Sequence, residues 1–287
     1  MTIKDILLHL GSGAPAQAAS AFALSLAQQT GAHVTAASVV IDVPAPAPDP
    51  AGLAASWDFT DFEAFSKIAE LRRGAAEKAF ARFASSAPAG VATESVVIES
   101  YQERARDDFA RLARHFDLLV IARNDDGAGE DLAAGEQSRV LLSSALFGSG
   151  RPVFVIPPED DGVARLGRAL VCWDAGMQAA RAVAAAMPLL ALAKSVEVVC
   201  VAEDGEAAEL PGFNITRHLA RHGVSAALRE IVSPQDTASA LLDHARASQA
   251  DFLVMGGYGH WRVSELILGG TTRTVLDSTP LPVFMAH

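Results

Sequence analysis

"GRALVCWDAGMQAARAVAAAMPLLALAKSVEVVCVAE", residues 167–203, reads as strand, turn, helix and strand in one unbroken run. "GRALVCWDAG" (167–176) is a short apolar segment closed by Asp-Ala-Gly, and "MQAARAVAAAMPLLALAK" (177–194) is built almost wholly of helix formers. "SVEVVCVAE" (195–203) is rich in β-branched residues and too short for a helix of ordinary length. Two apolar strands joined by a helix must run parallel in one sheet, because a hairpin cannot make that connection.

The same order occurs at the start of the chain. "IKDILLHLG" (3–11) is a strand, "AQAASAFALSLAQQTG" (16–31) a helix with a glycine stop, and "AHVTAASVV" (32–40) a strand. The ends of the two halves also match. "FDLLVIAR" (116–123) parallels "ADFLVMGG" (250–257), and "RPVFVIP" (151–157) parallels "LPVFMAH" (281–287). Helices are expected before the first of each pair, at 102–115 and 236–249, and third strands at 93–100 and 226–233. A period of roughly 140 residues is a domain duplication rather than a solenoid. The halves are divided as 1–158 and 159–287, with "PPEDDGVARLG" (157–167) as a polar linker. "VPAPAPDPAGLAASW" (43–57) is an exposed loop ahead of a long charged helix at about 60–86.

Composition narrows the functions. A net charge of −11 argues against a general nucleic-acid or anionic-membrane surface. Cys172 and Cys200 lie in apolar runs with no zinc-ligand spacing and read as reduced core thiols. No apolar span reaches membrane length and no signal-peptide pattern opens the chain, so the expected location is cytoplasmic. The P-loop ending Gly-Lys-Ser/Thr is absent, and no lysine follows Lys194. "GGYGHW" does not meet the dinucleotide fingerprint. His218 and His222 have helical spacing but no third ligand beside them. No nucleophile–base order stands out.

The chemistry concentrates in "MGGYGHWRVSELILGGTTRTVL" (255–276). Gly256 and Gly259 follow the fourth strand of the second half, and Gly269, Gly270, Thr271 and Thr272 precede or open a helix. In an open parallel sheet, ligands sit beyond the carboxyl ends of the strands where the strand order reverses. Glycines there allow backbone N–H groups to approach an anion, and a helix opening favours negative charge. Thr271 or Thr272 is positioned to cap that helix or to offer a hydroxyl to a phosphate.

With Gly256-x2-Gly259-x9-Gly269 and Asp174 at the end of the first strand, the chain resembles the universal stress protein family in its tandem form. The family's Ser/Thr after the third glycine is replaced by Gly270. The resemblance implies two tandem Rossmann-like α/β domains akin to adenine nucleotide alpha hydrolases. Each would be an open five-stranded, mostly parallel sheet of order 3-2-1-4-5 with helices on both faces. It implies an intrachain pseudo-dimer with the last strands near the contact, and leaves a further homodimer open. It also implies that the second half binds ATP or a related adenine nucleotide, with Mg2+ accompanying it, as a stress sensor or regulator. Asp174 would bond the adenine amino group or a ribose hydroxyl, and Val201 would face the adenine. Slow ATP hydrolysis is the most that the residues would support.

The first half lacks these features. Ala122 stands at the position of Gly256, Asp125 at that of Gly259, Glu136 at that of Gly270, and Gly11 at that of Asp174. Carboxylates facing a phosphate repel it. Two other functions stay open: a scaffold acting through protein contacts without nucleotide, and an adenine-nucleotide enzyme of the same wider group.

Overall fold

The computed structural model describes residues 2–11, 13–42, 59–101, 104–123, 132–202, 214–233, 236–257 and 270–287. The first half runs β1 (Asp5–His9), α1 (Gly13–Thr30), β2 (His33–Asp42), α2 (Phe59–Ser86), β3 (Thr93–Tyr101), α3 (Ala105–Ala113), β4 (Leu118–Ala122), α4 (Leu132–Gly148) and β5 (Val153–Ile156). The second runs β6 (Arg168–Cys172), α5 (Met177–Leu190), β7 (Ser195–Ala202), α6 (Ile215–Arg221), β8 (Ala226–Val232), α7 (Thr237–Ala247), β9 (Phe252–Gly256), α8 (Gly270–Ser278) and β10 (Val283–Ala286). No helix among the described residues is long and apolar enough to cross a membrane.

The ten strands form one sheet of order β3-β2-β1-β4-β5-β10-β9-β6-β7-β8. Each half therefore has the 3-2-1-4-5 order, and every pair is parallel except the seam, where β10 meets β5 antiparallel with Phe284 opposite Phe154. The last strands are themselves the contact between the halves. Joining them removes two edges that would otherwise carry unpaired backbone groups. The antiparallel seam also turns the halves head to tail, so the carboxyl edge of one lies beside the amino edge of the other.

A cluster of fully buried aromatic rings closes the seam. Phe154 meets Phe284, Phe22 and Phe252 edge to face, with ring centroids 5.2, 5.0 and 5.9 Å apart. These rings come from β5, β10, α1 and β9, so both halves share one core. Each such pair contributes about 0.5–1.5 kcal/mol beyond its buried area.

The duplication is visible in detail at the amino ends of β1 and β6. Asp117 accepts the backbone N–H of Lys4 at 2.8 Å and returns its own N–H to Asp5. Asp251 does the same with Arg168, at 2.6 Å and 2.9 Å. The pattern "FDLLV" and "ADFLV" thus encodes the same clamp twice. Residues 157–167, read as a linker, instead dock on α1. Ala164 and Leu166 are buried, Gln29 Nε2 donates to the Ala164 carbonyl at 2.6 Å, and the Ala164 N–H donates to Ser25 Oγ at 3.1 Å.

Candidate nucleotide site

The second half presents its carboxyl edge where β6 and β9 end side by side, with Val171 opposite Val254. Asp174 follows β6 by two residues and is exposed. Its Oδ1 accepts the N–H of Gly176 at 2.8 Å, which bends the chain tightly into α5. Ala175 between them has φ +58°, a left-handed conformation that costs an alanine about 1 kcal/mol. A Cβ on Gly176 would stand 2.9 Å from that same carboxylate oxygen, so a larger residue there would push the Asp174 side chain aside. Just before Asp174, the Trp173 indole N–H is buried with no hydrogen-bond partner among the described residues.

Gly256 ends β9 against the first turn of α5. A Cβ there would lie 2.6 Å from the Ala179 nitrogen and 2.7 Å from the Gln178 carbonyl carbon. The glycine is therefore required by strand–helix packing, a reason different from the open approach to an anion expected from the sequence. Asp174, the α5 opening and Gly256 form one contiguous unit.

Gly257 faces the other half. Its N–H donates to the Ala286 carbonyl at 2.8 Å, and a Cβ on it would stand 2.8 Å from Leu146 Cδ2 of α4. His287 Nδ1 lies 2.8 Å from the Gly257 carbonyl oxygen, and its ring meets Phe147 edge to face at 4.8 Å. The first half thus supplies Leu146 and Phe147 to the border of the second half's edge. Neither residue was singled out from sequence, because each reaches the edge only through the head-to-tail seam.

Gly259 and Gly269 lie outside the described residues, as do Tyr258, His260, Trp261 and Arg262. Gly270 is the first residue of α8 and exposed, and no atom of a described residue lies within 4 Å of the position a Cβ would take. Thr271 and Thr272 lie within the first turn rather than at the cap; Thr271 is exposed and Thr272 is buried. By the parallel crossover from β9 to β10, this helix opening belongs to the same carboxyl edge as Asp174 and Gly256. Val201 lies on β7 opposite Ile231, partly buried against the core that α7 covers. Arg273 is 3.4 Å from Asp277 on the same helix face, an exposed pair.

Nucleophile chemistry finds no support at Cys172. Burial, reinforced by the negative charge of Asp174, pushes its thiol up to about 12. Cys172 and Cys200 are both free thiols. The His218 and His222 rings lie 4.7 Å apart and tilted by 58°, and among the described residues no group of three or more metal-ligating side chains forms.

The corresponding edge of the first half is built differently. Helix α4 begins at Leu132, so Gly135 and Glu136 lie inside it instead of at its opening. Asp125 lies outside the described residues. At the position matching Gly257 stands Arg123, a residue the sequence comparison passed over. Its N–H donates to Ile156, as Gly257 does to Ala286, but its guanidinium crosses to the C-terminal carbonyls of α8. It also lies 3.6 Å from Glu159. Arginine against glycine in "VIAR" and "VMGG" was the available signal.

Fold and edge together define an α/β protein of two open 3-2-1-4-5 units fused through their last strands. The sequence profile of the universal stress protein family matches residues 166–287, the second half of the chain. A universal stress protein from Archaeoglobus fulgidus shares the fold with a TM-score of 0.67 at 19% identity, over 99% of this chain and 96% of that one. A functionally unknown protein from Pseudomonas aeruginosa PAO1 shares it with a TM-score of 0.54 at 16% identity, over 99% and 92%. Both likenesses span the two halves together and speak to the fold. No curated protein matches the chain by sequence.

Proposed function

We propose that this protein is a nucleotide-responsive stress protein whose second half binds ATP or a related adenine nucleotide. What supports the reading is that Asp174 and Gly256 lie at the carboxyl ends of the neighbouring strands β6 and β9, the edge on which α8 opens. In this reading Asp174 receives hydrogen bonds from the adenine amino group or ribose, and Val201 borders the base. Gly259, Gly269 and Gly270 let backbone N–H groups reach the phosphates, while the free N–H groups at the α8 opening favour their charge. Thr271, exposed in the first turn, offers a hydroxyl to a phosphate oxygen; buried Thr272 holds the turn against the core. Mg2+ would accompany the nucleotide and offset part of its phosphate charge.

At most slow hydrolysis of the bound ATP is expected. The protein then acts as a sensor or regulator, with residues 1–158 as a structural half that carries no phosphate cradle of its own. Calorimetric titration of nucleotide-free protein with ATP tests the reading. Gly259→Asp, which copies the first half, should abolish the heat of binding; unchanged affinity in that variant would refute the assignment.

A further inference from the structure

A second recess lies in the first half, on the sheet face covered by α1 and α2. It has a volume of about 780 Å³, within the range of small-molecule sites. We propose that this cleft binds an apolar-bodied anion, a medium-chain carboxylate, with its chain between α1 and α2 and its charge at Arg72 and Arg82.

The cleft exists because its walls are too short to fill it. Neighbouring helices pack about 8–10 Å apart only when side chains interdigitate between them. Here α1 contributes Ala16, Ser20 and Ala21, and α2 contributes Ala75, Ala76 and Ala79. Larger apolar groups, Leu24 and Phe83, also line the space. An occupant with a flexible apolar body would supply the dispersion contacts that these short side chains leave unmade.

Charge sets the sign of the occupant. Arg72 and Arg82 line the cleft, and among the described residues no Asp or Glu does. Both arginines are exposed, and neither forms an ion pair with a described residue. Lys67 and Lys78, two of the chain's four lysines, join Arg82 along an adjoining groove on α2, beside the single carboxylate of Glu70 among its described lining residues.

The recess takes in Gly11 and Val39, the first-half counterparts of Asp174 and Val201, but differs from the nucleotide site in kind. Its described lining includes neither the end of β4 nor α4, the elements that would hold phosphates, and Gly11 offers no carboxylate where the second half has Asp174. His9 also borders the recess; it is 6% exposed, its ring packs on Phe109, and it has no hydrogen-bond partner among the described residues. A neutral imidazole there tolerates an apolar neighbour without adding a second charge.

The test uses the full chain and dodecanoate below its micellar concentration, followed by calorimetry. One dodecanoate per chain is expected, with dodecyltrimethylammonium failing to bind. Two variants probe the geometry: Ala79→Phe, which fills the cleft, and Arg72→Glu combined with Arg82→Glu on the exposed rim. Ala79→Phe should lose binding, and the double variant should weaken it at least tenfold, with the ATP titration unchanged in both. The double variant alters only exposed side chains, so it keeps the test decisive if Ala79→Phe folds poorly. No binding to the parent protein, equal affinity for the cationic amphiphile, or undiminished binding in the double variant would each overturn the proposal. Because ATP is titrated separately, failure here and failure of the nucleotide reading are distinguishable.

Discussion

Arg123 and Thr279, 156 residues apart, are joined by a guanidinium Nη1 that donates to the Thr279 carbonyl at 2.6 Å. The same nitrogen lies 2.7 Å from the Leu276 carbonyl, so the arginine of one half caps the last turn of α8 in the other. Helix C-termini leave carbonyls unpaired and carry partial negative charge, and Arg123 answers both with a side chain only 12% exposed.

Arg123→Ala should destabilise the chain by about 2–3 kcal/mol, the worth of charged hydrogen bonds lost from a part-buried site. Urea denaturation would report it as a lower midpoint at unchanged slope. Arg123→Lys should recover only part, since a lysine lacks the planar fork. A midpoint equal to that of the parent protein would show the bond to be incidental.

The two adjacent glycines at the end of β9 should differ sharply on substitution. Gly256→Ala drives a Cβ into the backbone of Gln178 and Ala179, which cannot yield without moving α5. A loss of about 1–3 kcal/mol is expected from such overpacking. Gly257→Ala meets only the end of the Leu146 side chain, so a rotamer change should absorb most of it. In a double-mutant cycle with Leu146→Ala, Gly257 should couple and Gly256 should not. Equal destabilisation by the two alanines would contradict this packing.

These glycines also mark how far the sequence could be read. Alternating apolar strands and helices made the elements of both halves legible, because strands covered on both faces are largely apolar, while the 3-2-1-4-5 order came only with the family resemblance. Asp174 and Gly256 were recognisable by position, yet the reason for Gly256 was not, since its constraint comes from the backbone of α5. Arg123 escaped notice because its partners lie 153 and 156 residues away. Thr271 and Thr272 read as caps because the spacing did not reveal that α8 starts at Gly270. The docking of Ala164 and Leu166 on α1 was hidden by their polar neighbours in 157–167.

His9 should give the fold an acid-sensitive limb. It is buried against Phe109, with ring centroids 5.7 Å apart, and burial lowers its pKa from 6.5 to about 4. The unfolded chain therefore takes up a proton below about pH 6.5 that the folded chain refuses until about pH 4. Stability falls as pH drops through that window, by about 3 kcal/mol in all, and the penalty is absent above it. His9→Gln should flatten this dependence. Urea midpoints at about pH 7.5 and about pH 4.5 measure it, and parallel losses in parent and variant would exclude His9 as the source.

The stoichiometry of ATP binding to the nucleotide-free full chain tests the central claim most directly. One ATP per chain is expected, lost in Gly259→Asp and weakened in Asp174→Ala, while His9→Gln in the first half leaves it intact. Two sites per chain would show that the first half retains a cradle, and no heat or thermal shift at millimolar ATP would contradict nucleotide binding altogether.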